Sequence, residues 1–211
     1  MNVVSRSAPR PIRRSTVRAG SLLGSLLLGA CSVFGIRTVE EPPYEVITSE
    51  DDFEIRAYEA SVVATTVVEV EDYDKSGSVA FNRLGGYIFG DNRKADSDDS
   101  EKIAMTAPVI QERSGDGWVA TFVMPSEWSR DSLPNPTDPS VELRNVPGRK
   151  IASIRYTGLV NEKKLGEQAA KLRKWVESKG LRVVSTHRSA RYDPPWTIPF
   201  LRRNEVHFDV E

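Results

Sequence analysis

The hydrophobic and polar positions change rhythm along the chain. Residues 19–30 are almost continuously apolar, dominated by Leu22, Leu23, Leu26, Leu27 and Leu28. From Tyr44 the period shortens to two. Phe53-Glu54-Ile55-Arg56-Ala57-Tyr58 alternates, and Ser61–Val70 is rich in valine and threonine, so both read as strands. Asp72–Ser78 reads as a turn region. Ala80, Phe81, Leu84, Tyr87 and Ile88 then fall on one face of a helix. Gly85-Gly86 weakens that helix by roughly 1 kcal/mol per glycine relative to alanine, so either something approaches the backbone there or the helix ends early. Gly90-Asp91-Asn92 breaks the chain, and Asp96–Glu101 is an acidic loop. Ile103–Glu112 and Trp118–Met124 are expected to pair across Ser114-Gly115-Asp116-Gly117. Pro125–Pro139, with four prolines, is a long surface connection.

The pattern then restarts. Phe53-Glu54-Ile55-Arg56 matches Val141-Glu142-Leu143-Arg144 at a spacing of 88 residues, and in the same register Val63-Ala64-Thr65 matches Ile151-Ala152-Ser153. A second helix follows, capped by Asn161, with a stripe of Leu165, Ala169, Leu172 and Val176 and with Gly180 after it. Strands are expected at Leu181–Tyr192 and Glu205–Val210. Two strand–strand–helix–strand units predict a pseudo-two-fold α+β domain with a shared core. A groove is expected where the helix faces meet the sheet.

Composition changes the picture only at the N-terminus. With 39% hydrophobic and 28% charged residues the chain is ordinary globular material, neither collagen-like nor disordered. Residues 1–30 hold Arg6, Arg10, Arg13, Arg14 and Arg18 and no acid. Setting these five aside leaves 24 basic against 30 acidic residues, near −6, so nucleic acid and anionic lipid are not default partners. The apolar stretch is about a dozen residues, short of the roughly 20 a spanning helix needs, and with its basic flank it reads as a secretory signal. It ends Leu28-Gly29-Ala30-Cys31, similar to a bacterial lipobox in which Cys31 is lipidated. The alternative is a plain signal peptide with an incidental cysteine. Ser32, rather than an acid, after Cys31 points to an outer-membrane lipoprotein of the cell envelope facing the periplasm. The expected organisation is a signal at 1–30, a tether at 31–43 and one domain at 44–211. One cysteine excludes a multi-cysteine zinc or iron–sulfur site, and two histidines argue against a multi-histidine metal centre.

Five segments carry a resemblance. They are Glu54-Ile55-Arg56-Ala57-Tyr58, Tyr87-Ile88-Phe89-Gly90-Asp91-Asn92, Lys102–Val109, Ala190-Arg191-Tyr192-Asp193-Pro194-Pro195-Trp196 and Arg203-Asn204-Glu205-Val206. Together, in this order, they closely resemble the SOUL haem-binding family over Tyr44–Glu211. The resemblance implies a distorted, antiparallel, barrel-like sheet of about eight strands flanked by two helices. It also implies haem or a related porphyrin as ligand, with no single defined catalytic activity. The residues themselves read partly as architecture: Pro108 limits edge pairing, Asp193-Pro194-Pro195 makes a rigid extended turn, and Asn204 and Glu205 are placed to bond loop amides.

A tetrapyrrole is a flat apolar plate with two carboxylates at one edge, so it needs an apolar wall and cations at the rim. The first helix offers Phe81, Leu84, Tyr87 and Ile88 as a wall, with Arg83, at a basic position of the family's first helix, as a propionate partner. Tyr192 and Trp196 are candidates for a second wall. The competing reading is that the helix face packs on the sheet. Arg202 and Arg203 could add positive charge at the rim, but an arginine pair of this kind more often reads as solvated. The family's histidine-ligated branch carries its ligand at the position of Ala57, which cannot bind iron. The metal ligand is therefore open among His187, His207, Met105, Met124 and the tyrosines. His187 is the one carried forward, and alternation puts His207 on the wet face of the last strand. Binding mainly by apolar contact fits best. The chain has no Gly-x-Ser-x-Gly, phosphate loop or His-Glu-x-x-His. A binding protein is thus favoured over a tetrapyrrole-modifying enzyme or an interaction module of the same fold. Protein partners are not indicated.

Overall fold

The computed structural model describes residues 39–211. The expected signal and Cys31, the expected lipidation site, lie outside the described residues. The elements are β1 (Tyr44–Glu50), β2 (Phe53–Tyr58), β3 (Ser61–Val68), α1 (Tyr73–Phe89), β4 (Asn92–Arg93), β5 (Val109–Ser114) and β6 (Gly117–Val123). The chain continues with β7 (Asn135–Pro136), β8 (Val141–Val146), β9 (Arg149–Tyr156), α2 (Glu162–Ser178), β10 (Arg188–Arg191), a 3₁₀ turn (Pro199–Leu201) and β11 (Asn204–Asp209).

Nine strands form one sheet in the order β1-β2-β9-β11-β10-β5-β6-β3-β8, and β4 pairs with β7 apart from it. Apart from β1, which has no counterpart, the order is symmetric about the β10–β5 contact. On one side run β10, β11, β9 and β2; on the other run β5, β6, β3 and β8. The repeat read in the sequence is therefore physical, but its strands are exchanged. β2 pairs with β9 and β8 with β3, so each unit gives its first strand to the other. The equivalent strands β3 and β9 share the burial run of four consecutive buried residues.

Both helices lie on one face of the sheet, each over its own core. α1 buries Ala80, Leu84, Tyr87 and Ile88 against Ala64, Val68, Ala120 and Phe122. α2 buries Leu165, Leu172 and Val176 against Ile55, Ala152, Ile154, Val206 and Phe208. The opposite face curls inward, because Arg144 on β8 and Ile151 on β9, far apart in strand order, line the same cavity. The sheet is an open half-barrel with β1 and β8 as its edges.

Three boundaries differ from expectation. Asp72–Ser78 is not a turn: Asp72 caps α1 through the Lys75 amide at 2.8 Å, and Tyr73–Ser78 form its opening turns. Its small residues serve packing, since a Cβ on Gly77 would sit 3.2 Å from both Gln111 and Arg191 side chains. Second, residues 103–108 leave the strand pattern, and the Ile103 amide instead bonds the Ile88 carbonyl at 2.8 Å. Likewise 181–187 are outside β10 and pair with the C-terminus, through Arg182–Glu211 and Val184–Asp209 amide bonds. Third, the tether's end does not hang free. The Glu40 carbonyl accepts from Ala107 at 2.9 Å, and Glu41 pairs with Arg203 at 3.0 Å. α2 runs as read, with Lys164 donating to Asn161 Oδ1 at 2.9 Å.

The Gly85-Gly86 pair stays helical, and α1 ends at Gly90, which takes φ 132°. Asp91 folds back so closely that a Cβ on Gly86 would lie 2.5 Å from its carboxylate. Gly117 meets backbone instead: a Cβ there would lie 2.3 Å from the Val68 carbonyl oxygen. Gly166 on α2 has open space around it. Gly117→Ala is expected to destabilise by about 1–3 kcal/mol and Gly166→Ala to stabilise by about 1 kcal/mol. Paired urea titrations check both signs.

Candidate functional site

Strand alternation in β2 sends Ile55 to the α2 core and Glu54, Arg56 and Tyr58 to the inner face of the half-barrel. β11 likewise sends Val206 and Phe208 outward and Glu205 and His207 inward. The result is a buried polar cluster centred on Glu205, which is fully buried. Its Oε2 accepts from Arg56 Nη1 at 2.7 Å, Tyr192 Oη at 3.0 Å and His207 Nε2 at 2.7 Å. Its Oε1 accepts from Arg56 Nη2 at 3.1 Å and Arg203 Nε at 2.8 Å. Three of the resembling segments thus meet at one carboxylate. Arg203 also stacks over the Tyr192 ring at 3.7 Å, and its amide donates to Asp193 at 2.6 Å. Arg203 is therefore a buried structural cation, not a solvated one.

Burial pushes the Glu205 carboxyl up, but the hydrogen bonds from His207 and Arg56 and the Arg56 charge outweigh it and hold it well below the usual range. Burial likewise opposes the Arg56 and Arg203 charges, and Glu205 more than compensates, so both are held above the ordinary guanidinium value. His207 is pushed down by burial, against the pull of Glu205. An ionised carboxylate only accepts, so Nε2 of a neutral His207 carries the proton. His207 does lie opposite Val206 and Phe208, but the face is dry: it is 2% exposed. The sequence pattern gives the face of the strand and not what fills it.

The outer face of α1 sorts the expected wall residues differently. Leu84, Tyr87 and Ile88 are each at most 1% exposed and pack on the sheet. Tyr87 also donates from its hydroxyl to the Pro134 carbonyl at 3.0 Å. Phe81 alone of the four faces outward, 45% exposed, with its ring edge-on to Phe122 at 5.9 Å. Phe89, missed in the sequence, joins it at 59% exposure. Between them lies Gly85: a Cβ there would touch Phe81 and Phe89 rings at 3.6 and 3.7 Å. The spacing 81, 85, 89 is the i, i+4, i+8 signal that finds this stripe. Arg83, two residues from Phe81, turns the other way and donates to the Val67 carbonyl at 2.8 Å. Exposed Lys102 adjoins Ile103, whose amide holds the end of α1. Tyr192 belongs to the Glu205 cluster and Trp196 is 66% exposed on the loop after β10, so the expected second wall is split.

Residues 39–209 match the family model described as SOUL heme-binding protein. The chain belongs to the SOUL haem-binding family. Heme-binding protein 1 of Bos taurus is 30% identical over 186 residues, covering 83% of this chain and 93% of the relative. Heme-binding protein 2 of Homo sapiens is 27% identical, covering 83% and 88%. Among solved structures, the EcmrR C-terminal domain superposes with a TM-score of 0.55 at 14% identity, covering 80% of this chain and 98% of that one. A hydrolase from Listeria innocua gives 0.51 at 13%, covering 78% and 94%. At such identities the likeness is one of fold.

For a SOUL-family chain the test is whether the residues present fit a tetrapyrrole. The Phe81 and Phe89 rings do, because they leave two exposed aromatic surfaces side by side on α1, closed over the buried Gly85. Iron ligation has less support. His207 is sealed against Glu205. His187 is half-buried beside Phe208, in the α2 half, with ring centroids 6.4 Å apart. Ala57 sits on β2 opposite Lys150, also in that half. Among the described residues no cluster of three or more His, Cys, Asp or Glu is arranged to hold a metal.

The Glu205 cluster makes stability fall in acid. His207 binds its proton more tightly when unfolded, so stability is lost as pH falls below the ordinary value of 6.5. Glu205 has a depressed folded pKa, so its contribution fades as pH falls from 4.5 downward. Glu205→Gln leaves Arg56 and Arg203 without their shared buried partner, and is expected to cost about 3–5 kcal/mol at pH 7. It is also expected to flatten the loss of stability below pH 4.5. Urea unfolding between pH 3 and 8 measures both.

Proposed function

We propose that this SOUL-family protein binds haem or a related tetrapyrrole on the outer face of α1, as a lipid-anchored protein of the bacterial envelope. The observation that carries the reading is the pair of exposed rings, Phe81 and Phe89, side by side on α1. Aromatic surface of this kind is normally buried, and here it forms one outward apolar patch, the two rings meeting over buried Gly85. The macrocycle would lie against the outward faces of the Phe81 and Phe89 rings, with exposed Lys102, next to the residue that holds the end of α1, offered as a cation for a propionate. Bound haem would bring its iron, but what this chain supplies is apolar contact and a rim charge. Support for the ligand comes from the family and from relatives named as haem-binding proteins. The anchor reading rests on Cys31 and its preceding small residues, and the outer membrane on Ser32. The role is binding rather than catalysis, since Glu205, the most buried carboxylate of the cluster, has its lone pairs filled by its neighbours.

A hemin titration followed in the Soret band tests it, with iron-free protoporphyrin IX alongside. Saturation near one equivalent is expected at micromolar or tighter affinity, with similar affinity for the two rings because apolar contact dominates. Phe81→Asp is expected to weaken both at least about tenfold, the effect of placing a charge against an apolar surface. Arg83→Ala is expected to change little, because Arg83 is turned to the edge of β3. A linear, unsaturated response sinks the proposal, as does full affinity in Phe81→Asp.

A further inference from the structure

The inner face of the half-barrel holds a cavity of about 200 Å³, on the side of the sheet opposite α1. Its walls are largely apolar, formed by Val63, Val123, Ile110 and Ile151, and one side carries Arg149 and Arg188. Such a volume suits a small ligand: a dry cavity of roughly 150 Å³ takes benzene, whereas larger ligands need roughly 300 Å³ or more. A tetrapyrrole belongs elsewhere.

The two arginines are under-partnered. Arg188 is 5% exposed and grips Asp209 through Nη1 at 2.8 Å and Nη2 at 2.5 Å. Its Nε is buried and has no hydrogen-bond partner. Arg149 reaches the same aspartate only at 3.4 Å. One carboxylate therefore serves two guanidiniums. Burial and the neighbouring Arg188 push the Arg149 pKa down, yet an arginine stays charged, so the pair gains from a second anion. Of the other acids on the wall, Glu112 stands opposite Arg188 across β5–β10 and accepts from Thr186, and Glu59 lies on the exposed rim.

We propose that this inner cavity is a second ligand site, for a small amphiphilic carboxylate. Its hydrocarbon body lies against Val63, Val123, Ile110 and Ile151, and its head meets the accessible guanidinium of Arg149, with the buried, under-partnered Arg188 beside it. The site is independent of the tetrapyrrole face, since the sheet separates them.

Calorimetric titration of the purified protein with octanoate, octanol and octylamine tests this. Octanoate is expected to saturate near one equivalent, with octanol and octylamine at least about tenfold weaker, the size of a charge-assisted hydrogen bond. Arg149→Gln, at a half-exposed position, is expected to weaken octanoate by about tenfold and leave octanol unchanged. Thr121→Phe, which puts a ring into the cavity, is expected to abolish octanoate binding while the hemin titration is unaltered. Equal affinity for octanol and octanoate overturns the proposal, as does undiminished octanoate binding in Arg149→Gln. Loss of octanoate binding in Phe81→Asp rather than Thr121→Phe overturns it too, by placing the probe on α1.

Discussion

A carboxylate taken wholly out of water must be given donors for its lone pairs and cations for its charge, and Glu205 imposes that demand on the inner half-barrel. Its side chain offers about four lone-pair directions, and five donors fill them. These come from β2, from the residue after β10, from the residue before β11 and from β11 itself. Nothing local in sequence could supply such a set: Arg56 lies 149 positions away. The cluster therefore forms only when β2 has crossed to β9 and β10 has laid Tyr192 beside β11. Strand exchange and buried charge are two descriptions of one constraint. Removing one partner is far costlier than never having built the cluster, which ties the first strand of one repeat to the last strand of the other.

The same constraint explains what was legible in the chain. Period-two and period-3.6 patterns report which side of an element is apolar, and they located both helices, the repeat and the core stripe of α2. They also put Leu84, Tyr87 and Ile88 on one face of α1. Hydropathy alone cannot say whether such a face meets a sheet or a ligand, and the sheet took it. Phe89 was missed because it falls eight residues after Phe81 with Gly85 between them, and glycine carries no hydropathy signal to join the two. The turn-like run Asp72–Ser78 misled for a related reason. Ser76 and Gly77 are small because Gln111 and Arg191 press on the helix, not because the chain turns.

The polar motifs misled in the opposite direction. Arg203 and His207 read as wet because charged groups and histidines usually are. They are dry because they were recruited together, which no single-residue propensity records. The motif segments carry family resemblance most plainly where they build the Glu205 cluster, so the resemblance speaks for architecture more directly than for ligand contact.

That separation bears on function. A group that is fully hydrogen-bonded and sealed has no lone pair or proton left for a substrate, so the Glu205 cluster cannot double as an acid–base site without breaking the fold that holds it. Ligand chemistry must use what the fold leaves over. On the outside that is aromatic surface around a helical glycine, where the core had no use for Phe81 and Phe89. On the inside it is the adjacent pair Arg149 and Arg188, which differs from Arg56 and Arg203 in one respect. Arg56 and Arg203 share Glu205 and each has a further acid, Glu54 and Glu41, whereas Arg149 and Arg188 divide Asp209 alone between their bonded partners. The pseudo-symmetric frame is thus satisfied at one end of its polar interior and unsatisfied at the other, and the unsatisfied end is the one that opens onto a cavity.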